Sequence, residues 1–447
     1  MPAADAAWLH MDRPTNIMVV NSVLWFDAPV DWDRVRGIFL ERVVDRFPRF
    51  SQRAVEGTLL AGPHWEDDPG FDPDLHFHHL ALPAPNDRAA LEHFVSDRVT
   101  TPLQRDRPLW EVYLIDGYGD GAAVLIRIHH SIADGIALAR VMLLMTDDGE
   151  LGPTGIADPE EHHGSPLGPA APMLRAAGGL AQEGLHVLAH PGRAVELAGM
   201  ALEDGQTLAK LLLPWSDPQS PIKGDLQRAH RVAWTDPVEL WRVKRAGRSL
   251  GATVNDVLVS AVAGAIGSYF RERGDDLDAV HALVPFNLRP LDRPLPPELG
   301  NRFGLVLLEL PVSVADPVAR LDVVKRAMDA IKHGHEGALT YEILGLMGRT
   351  PPIVEERLID YFSAKGSMVL TNVPGPRRAV SVAGTPLRGV LVWAPCSGSV
   401  GMSVSVFSYD RKVMVGFLVD AGLVPDPQLL ADGFRAEVLG LARAARG

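Results

Sequence analysis

The segment His129-His130-Ser131-Ile132-Ala133-Asp134-Gly135 stands between two stretches of different periodicity. Before it runs Ala122-Ala123-Val124-Leu125-Ile126-Arg127-Ile128, a short apolar run that predicts a buried strand. After it runs Ile136 to Met145, which predicts a helix. Two histidines therefore fall where a strand ends and a helix begins. An imidazole there can stand at the rim of a cleft and act as a general base near neutral pH. Asp134 follows His130 by four residues, and Gly135 is expected to let the backbone pack closely.

The chain has 447 residues, more than one ordinary core holds, so two domains are expected. Hydrophobic residues at 47% and charged residues at 22% describe a globular protein with ample core material. The formal net charge of −13 argues against nucleic-acid binding and against simple electrostatic adhesion to anionic lipid. An anionic ligand needs a local basic patch against that background. Cys396 is the single cysteine, so no intramolecular disulfide forms, which suits a reducing compartment. The opening residues lack the basic and apolar regions of a signal peptide. No uncharged apolar stretch reaches the roughly 18 residues of a membrane span. The expectation is a cytoplasmic protein, at most peripheral on a membrane or lipid inclusion.

Residues 1–149 mix strands (Asn16–Phe26, Leu75–Leu80, Trp110–Asp116) with helices (Trp32–Phe47 after Asp31 as N-cap, Arg88–Val99). Residues 150–225 read as a linker: a Gly-, Pro- and acid-rich run, two helical stretches at Met173–Ala189 and Arg193–Leu213, and a Pro-rich close. Residues 226–447 form a second mixed unit. Thr235 is expected to cap a helix Pro237–Leu250, and Asn255 to begin an apolar helix through Tyr269. Further helices are expected at Val318–His333, Tyr341–Leu358 and from Asp426 to Ala444. Strands are expected at Ala282–Phe286, Leu305–Val312, Ser367–Thr371, Leu387–Trp393, Met402–Ser408 and Val413–Val419.

The pattern H-H-x-x-x-D-G resembles the active-site motif of the CoA-dependent acyltransferase superfamily. Six further segments, in order, resemble signatures of one branch, the bacterial wax ester synthase/diacylglycerol acyltransferase family. They are Asp5-Ala6-Ala7-Trp8-Leu9-His10-Met11-Asp12-Arg13-Pro14-Thr15-Asn16-Ile17-Met18, Arg107-Pro108-Leu109-Trp110-Glu111, Thr253-Val254-Asn255-Asp256-Val257, Val284-Pro285-Phe286-Asn287-Leu288-Arg289, Gly300-Asn301-Arg302-Phe303-Gly304 and Thr371-Asn372-Val373-Pro374-Gly375-Pro376. The resemblance implies an α/β fold of two chloramphenicol-acetyltransferase-like lobes, with the active-site tunnel between them and His130 near its middle. It implies transfer of a long-chain acyl group from acyl-CoA, a co-substrate with no further cofactor, to diacylglycerol or a long-chain alcohol. The products are triacylglycerol or wax ester. Two alternatives stay open: another hydroxyl acceptor, such as a glycolipid or polyketide alcohol, and an inactive lipid-binding protein of the same fold.

A thioester is already activated, so direct transfer needs only a base for the acceptor hydroxyl. His130 is that candidate, with its other nitrogen held in one tautomer by a backbone carbonyl. The resemblance implies that Asp134 points away and pairs with an arginine; Arg289 is the candidate. His129 is given a structural or steric role. Pro108, Leu109, Trp110, Asn255, Asp256 and Asn372 are substrate-binding candidates, each with a plainer reading. Asn255-Asp256 can cap a helix, Pro108-Leu109-Trp110 can be a core-packed strand entrance, and Asn372 to Pro376 can be a rigid turn. A metal site is disfavoured at His129/His130 because only Asp134 adds a nearby ligand, and at His76/His78/His79 because no carboxylate or Cys accompanies them. The Leu-rich stretch Met173–Leu213 could face lipid, but it lacks the basic polar face usual for surface helices.

Overall fold

The computed structural model describes residues 1–57, 62–149, 215–289, 294–333, 336–347 and 352–445. The expected linker helices at Met173–Ala189 and Arg193–Leu213 lie outside the described residues.

Two sheets organise the rest. The first has six strands in the order Ser381–Val382, Thr385–Trp393, Val19–Phe26, Gly121–His129, Trp110–Tyr118, Phe77–Ala81. The second runs Phe303–Leu310, Val280–Asn287, Met368–Pro374, Met402–Tyr409, Lys412–Asp420, His230–Trp234. The boundary expected at residue 226 is therefore crossed. Thr385–Trp393 pairs antiparallel with Val19–Phe26, so a strand from the second half completes the first sheet. Nothing in an alternating apolar strand says which sheet it will join, because both offer the same backbone ladder.

Each sheet buries one core against its helices, and a third cluster joins the halves. In that third cluster Ala4, Ala7, Trp8 and Met11 pack with Leu283, Phe303, Ile343, Leu344, Ile359 and Cys396. Its N-terminal part is a helix, Ala3–His10, which was not among the expected elements and overlaps the signature segment that begins at Asp5.

Asp31 caps its helix through Arg34 N as expected, and Arg88–Val99 forms with its expected bounds behind a cap that was not foreseen, Asp87 through Ala90 N. Three differ. The expected helix Trp32–Phe47 is α-helical only over Trp32–Phe39 and continues as a π-helical turn, Leu40–Val44. Thr235 caps nothing: its hydroxyl accepts from Val415 N beside a strand, and the helix begins only at Leu240. The expected helix Tyr341–Leu358 is two helices, Glu336–Met347 and Pro352–Ser363. Pro352 opens the second, where its missing N–H costs nothing.

Candidate active site

The strand Gly121–His129 is buried along its whole length. Its ladder runs on into the motif, with His129 N donating to Leu109 O and His130 N to Met18 O. Both neighbouring strands thus hold the paired histidines by their backbones. A turn closed by Ile132 N to His129 O follows, and then the helix Gly135–Leu144.

A second loop locks onto this turn. Ala133 bridges Gly300, with Gly300 N donating to Ile132 O. Gly300 has φ +77°, a left-handed conformation that favours glycine. The loop brings Asn301, Arg302 and Phe303 beside the histidines.

His130 is 4% exposed. Trp8 stacks on its ring at 4.1 Å between centroids, and Phe303 lies at 5.6 Å. Its Nδ1 is 2.9 Å from Asn301 Oδ1. The Asn301 amide nitrogen is taken up elsewhere, donating to Asp5 Oδ1 and to the His130 carbonyl, each at 2.8 Å. The face of Asn301 toward the ring is therefore its oxygen, an acceptor. That makes Nδ1 the protonated nitrogen of the neutral imidazole and leaves the lone pair on Nε2. The holder of the tautomer is thus a side-chain amide, not the expected backbone carbonyl. Burial pulls the His130 pKa down to about 4, against the charge of Asp134 and the Asn301 hydrogen bond, which favour the charged form. The ring is neutral at ordinary pH and its Nε2 has no protein partner among the described residues.

Asp134 points away from His130. Its Oδ1 accepts from Ala137 N and so caps the motif helix. Its Oδ2 accepts from Arg289 Nη2 at 3.1 Å and Arg302 N at 3.0 Å. Arg289 also donates to the carbonyls of Leu299 and Gly300. The pair is buried and ties the motif to the second loop.

His129 turns its Nδ1 to Ser131 Oγ at 2.8 Å, and its Nε2 lies 3.4 Å from Asp12 Oδ2. A Cβ on Gly135 would meet no atom within 4 Å, so the close packing expected there is absent.

The remaining candidates lie elsewhere. Trp110 is fully buried in the first core, stacked on His76 and donating to Phe50 O. With Pro108 and Leu109 buried beside it, that segment is a strand entrance whose link to the site is the Leu109 carbonyl holding His129. Asp256 forms a capping box with Thr253 on the helix Val254–Glu272. Asn255 Oδ1 accepts from Asn372 Nδ2 at 2.8 Å, which fastens that helix to the strand Met368–Pro374. None of these six lines the two cavities next to His130. Among the described residues no group of three or more His, Cys, Asp or Glu side chains could hold a metal ion.

Those two cavities differ in character. One, of about 630 Å³, is lined by Asp5, Arg49, Arg289, Asn301, Arg302 and Tyr341 among others. The other is narrow and apolar, lined by Trp8, Leu283, Phe303, Leu307, Leu344 and Phe362 among others. His130 is joined to both, through Asn301 to the polar cavity and through Trp8 and Phe303 to the apolar one. Asn301, Trp8 and Asp5 fall within signature segments of the sequence, where no local pattern marks any of them for a role.

The family model described as "Wax ester synthase/diacylglycerol acyltransferase catalytic domain" matches residues 1–258. The model described as "WS/DGAT C-terminal domain" matches residues 299–441. A Mycobacterium tuberculosis protein named "Putative diacyglycerol O-acyltransferase" is 29% identical over 96% of this chain and 87% of its own. The solved wax ester synthase/diacylglycerol acyltransferase from Marinobacter aquaeolei VT8 superposes with a TM-score of 0.71 at 22% identity over all of both chains. A mutant starter condensation domain of rhizomide synthetase, in complex with C8-CoA and Leu-SNAC, superposes with a TM-score of 0.56 at 14% identity, covering 100% of this chain and 94% of that one.

Proposed function

The chain belongs to the wax ester synthase/diacylglycerol acyltransferase family, and from that premise we propose that it moves a long-chain acyl group from acyl-CoA to diacylglycerol or a long-chain alcohol by direct transfer, with Nε2 of His130 as the base. The observation that carries the reading is a neutral imidazole, fixed as its Nδ1–H tautomer, between a cavity that bears arginines and one that is apolar. Nε2 takes the proton of the acceptor hydroxyl as its oxygen forms a bond to the thioester carbon. The C–S bond then breaks, and the imidazolium returns the proton to the departing thiolate. Arg302, exposed at the polar cavity, offers CoA phosphates a cation in a chain of net charge −13, whereas Arg49 and Arg289 beside it are buried and committed to Asp5 and Asp134. The apolar cavity suits a hydrocarbon chain. Because such acceptors partition into lipid, we place the work of the enzyme at the cytoplasmic membrane face or at lipid inclusions.

Direct transfer needs no nucleophilic side chain. Cys396 is buried, and burial with the charge of Asp420 nearby pushes its thiol pKa up, so it stays protonated and inert. Cys396→Ser is accordingly expected to remain active, and radiolabelled palmitoyl-CoA without acceptor should leave no label on the denatured protein. Stoichiometric label or ping-pong kinetics would overturn direct transfer.

The acceptor series tests the function itself. Each methylene removed from water contributes about 0.8 kcal/mol. Four added methylenes are then worth roughly a hundredfold in kcat/KM until the channel is full. Butanol, octanol, dodecanol and hexadecanol with palmitoyl-CoA should rise on that slope, and dioleoylglycerol in detergent should also be acylated. A flat series, or a better rate with a soluble polar acceptor, would remove the lipid assignment. Diacylglycerol without hexadecanol activity would narrow the product to triacylglycerol.

A further inference from the structure

The helix Ala3–His10 carries a single carboxylate, Asp5, which is fully buried among Ala4, Ala6, Ala7 and Trp8. A buried carboxylate is costly unless its partners compensate for lost water. Those of Asp5 converge on the motif. Oδ1 accepts from both the backbone N and the Nδ2 of Asn301, at 2.9 and 2.8 Å. Oδ2 lies 2.9 Å from the Arg49 guanidinium, itself 4% exposed. Arg49 in turn donates to the carbonyls of Ser131 and Ile132, the two residues after His130.

Asn301 is thereby left one orientation. With its nitrogen taken by Asp5 and by the His130 carbonyl, it can offer only oxygen to Nδ1. Trp8, three residues after Asp5, lies on the same side of the helix and covers the imidazole face. One helix thus contacts the ring plane directly and governs its protonated edge at one remove.

We propose that Asp5 acts through Asn301 as a positioning relay for His130, so that the N-terminal helix sets both the tilt and the tautomer of the imidazole. Both residues line the polar cavity from buried positions, and the role proposed for them is positioning, not contact with the reacting atoms. The inference rests on the reading of His130 as the base. Without Asn301 the ring can turn over or carry its proton on Nε2, the nitrogen that must be empty to accept one.

The test reads tautomer and rate separately, in the full chain. Protein labelled with ¹⁵N-histidine is compared at pH 7 for wild type, Asn301→Leu, Asp5→Ala and the double variant, with His130→Ala assigning the resonance. Wild type should show His130 protonated on Nδ1. Asn301→Leu, which keeps the shape but removes the acceptor, should move the proton wholly or partly to Nε2. It should lower kcat by about 10²-fold with KM within a few-fold, since positioned proton transfer is worth that much. Asp5→Ala should lower kcat by about tenfold, the scale of one hydrogen bond to a charged group. The decisive reading is the double variant. A relay predicts that it loses no more than Asn301→Leu alone, whereas independent structural roles multiply, to about 10³-fold.

An unchanged His130 tautomer in Asn301→Leu, or multiplied losses in the double variant, overturns the relay. A changed tautomer with unchanged rate leaves the relay standing and removes His130 as the base. Asp5→Ala strands the Arg49 charge, so if it fails to fold, Asp5→Ala/Arg49→Leu replaces it, compared with Arg49→Leu as its own background.

Discussion

Replacing His130 with alanine is expected to lower ester formation by about 10²-fold or more, the usual contribution of a positioned base. Among the described residues, the two titratable groups of the motif beside His130 are both committed elsewhere. His129 has its Nδ1 bonded to Ser131 and its Nε2 against Asp12, and Asp134 spends both carboxylate oxygens on the motif helix, Arg289 and Arg302 N. The measurement is ester formed per minute from palmitoyl-CoA on a variant whose circular dichroism is unchanged. Activity above about 10% of wild type would remove His130 from the mechanism, because losing a base costs more than that. The wild-type pH profile is a companion test. The buried ring has its pKa lowered to about 4, so the neutral form persists well below the ordinary value of 6.5. As pH falls, kcat/KM should stay level through 6.5 and decline only as it nears the lowered value. An acidic limb centred near 6.5 would mean that the titrating group is an ordinary exposed histidine.

How far the site could be read from sequence follows from the range of the contacts that make it. The strand, turn and helix around His129–Gly135 are local, and hydrophobic periodicity specified them without help from the rest of the chain, although the cap that Asp134 supplies to the helix was not foreseen. The same holds for Arg88–Val99, found with its expected bounds behind its Asp87 cap. Asn301 is a different case. It stands 171 residues from His130 and 296 from Asp5, and no local pattern links three polar residues so far apart. A signal did exist. Asp5 interrupts Ala3-Ala4-Asp5-Ala6-Ala7-Trp8, and a lone carboxylate in an apolar helix must find a partner if that helix is buried. Reading it would have asked for the partner without naming it. The helix start at Pro352 was also visible, since an interior Pro removes a helical hydrogen bond and clashes with the preceding turn. The placement of Thr385–Trp393 in the first sheet had no counterpart in the sequence.

Asp134→Asn separates a structural tie from electrostatic support of the base. The Asp134–Arg289 pair is buried, with the side chains 3% and 8% exposed. An amide at this position keeps one oxygen. If that oxygen caps Ala137 N, the new NH2 faces the Arg289 and Arg302 donors; if it serves them, the helix cap is lost. Either way Arg289 loses the only carboxylate it pairs with among the described residues, and removing one partner of a buried pair costs about 3–5 kcal/mol. That cost should appear as a lower denaturant midpoint together with lower activity, because the Gly300 loop carrying Asn301 hangs on the same pair through Arg289 and Arg302 N. The charge of Asp134 also favours protonated His130. Its loss alone would weaken the base without loosening the fold. A midpoint equal to wild type with activity down tenfold or more would therefore show that the carboxylate works by its field on His130, not as the clasp between motif and loop. The matching loss of midpoint in Arg289→Leu, with no further loss in the Asp134→Asn/Arg289→Leu double variant, would assign the stability to the pair itself.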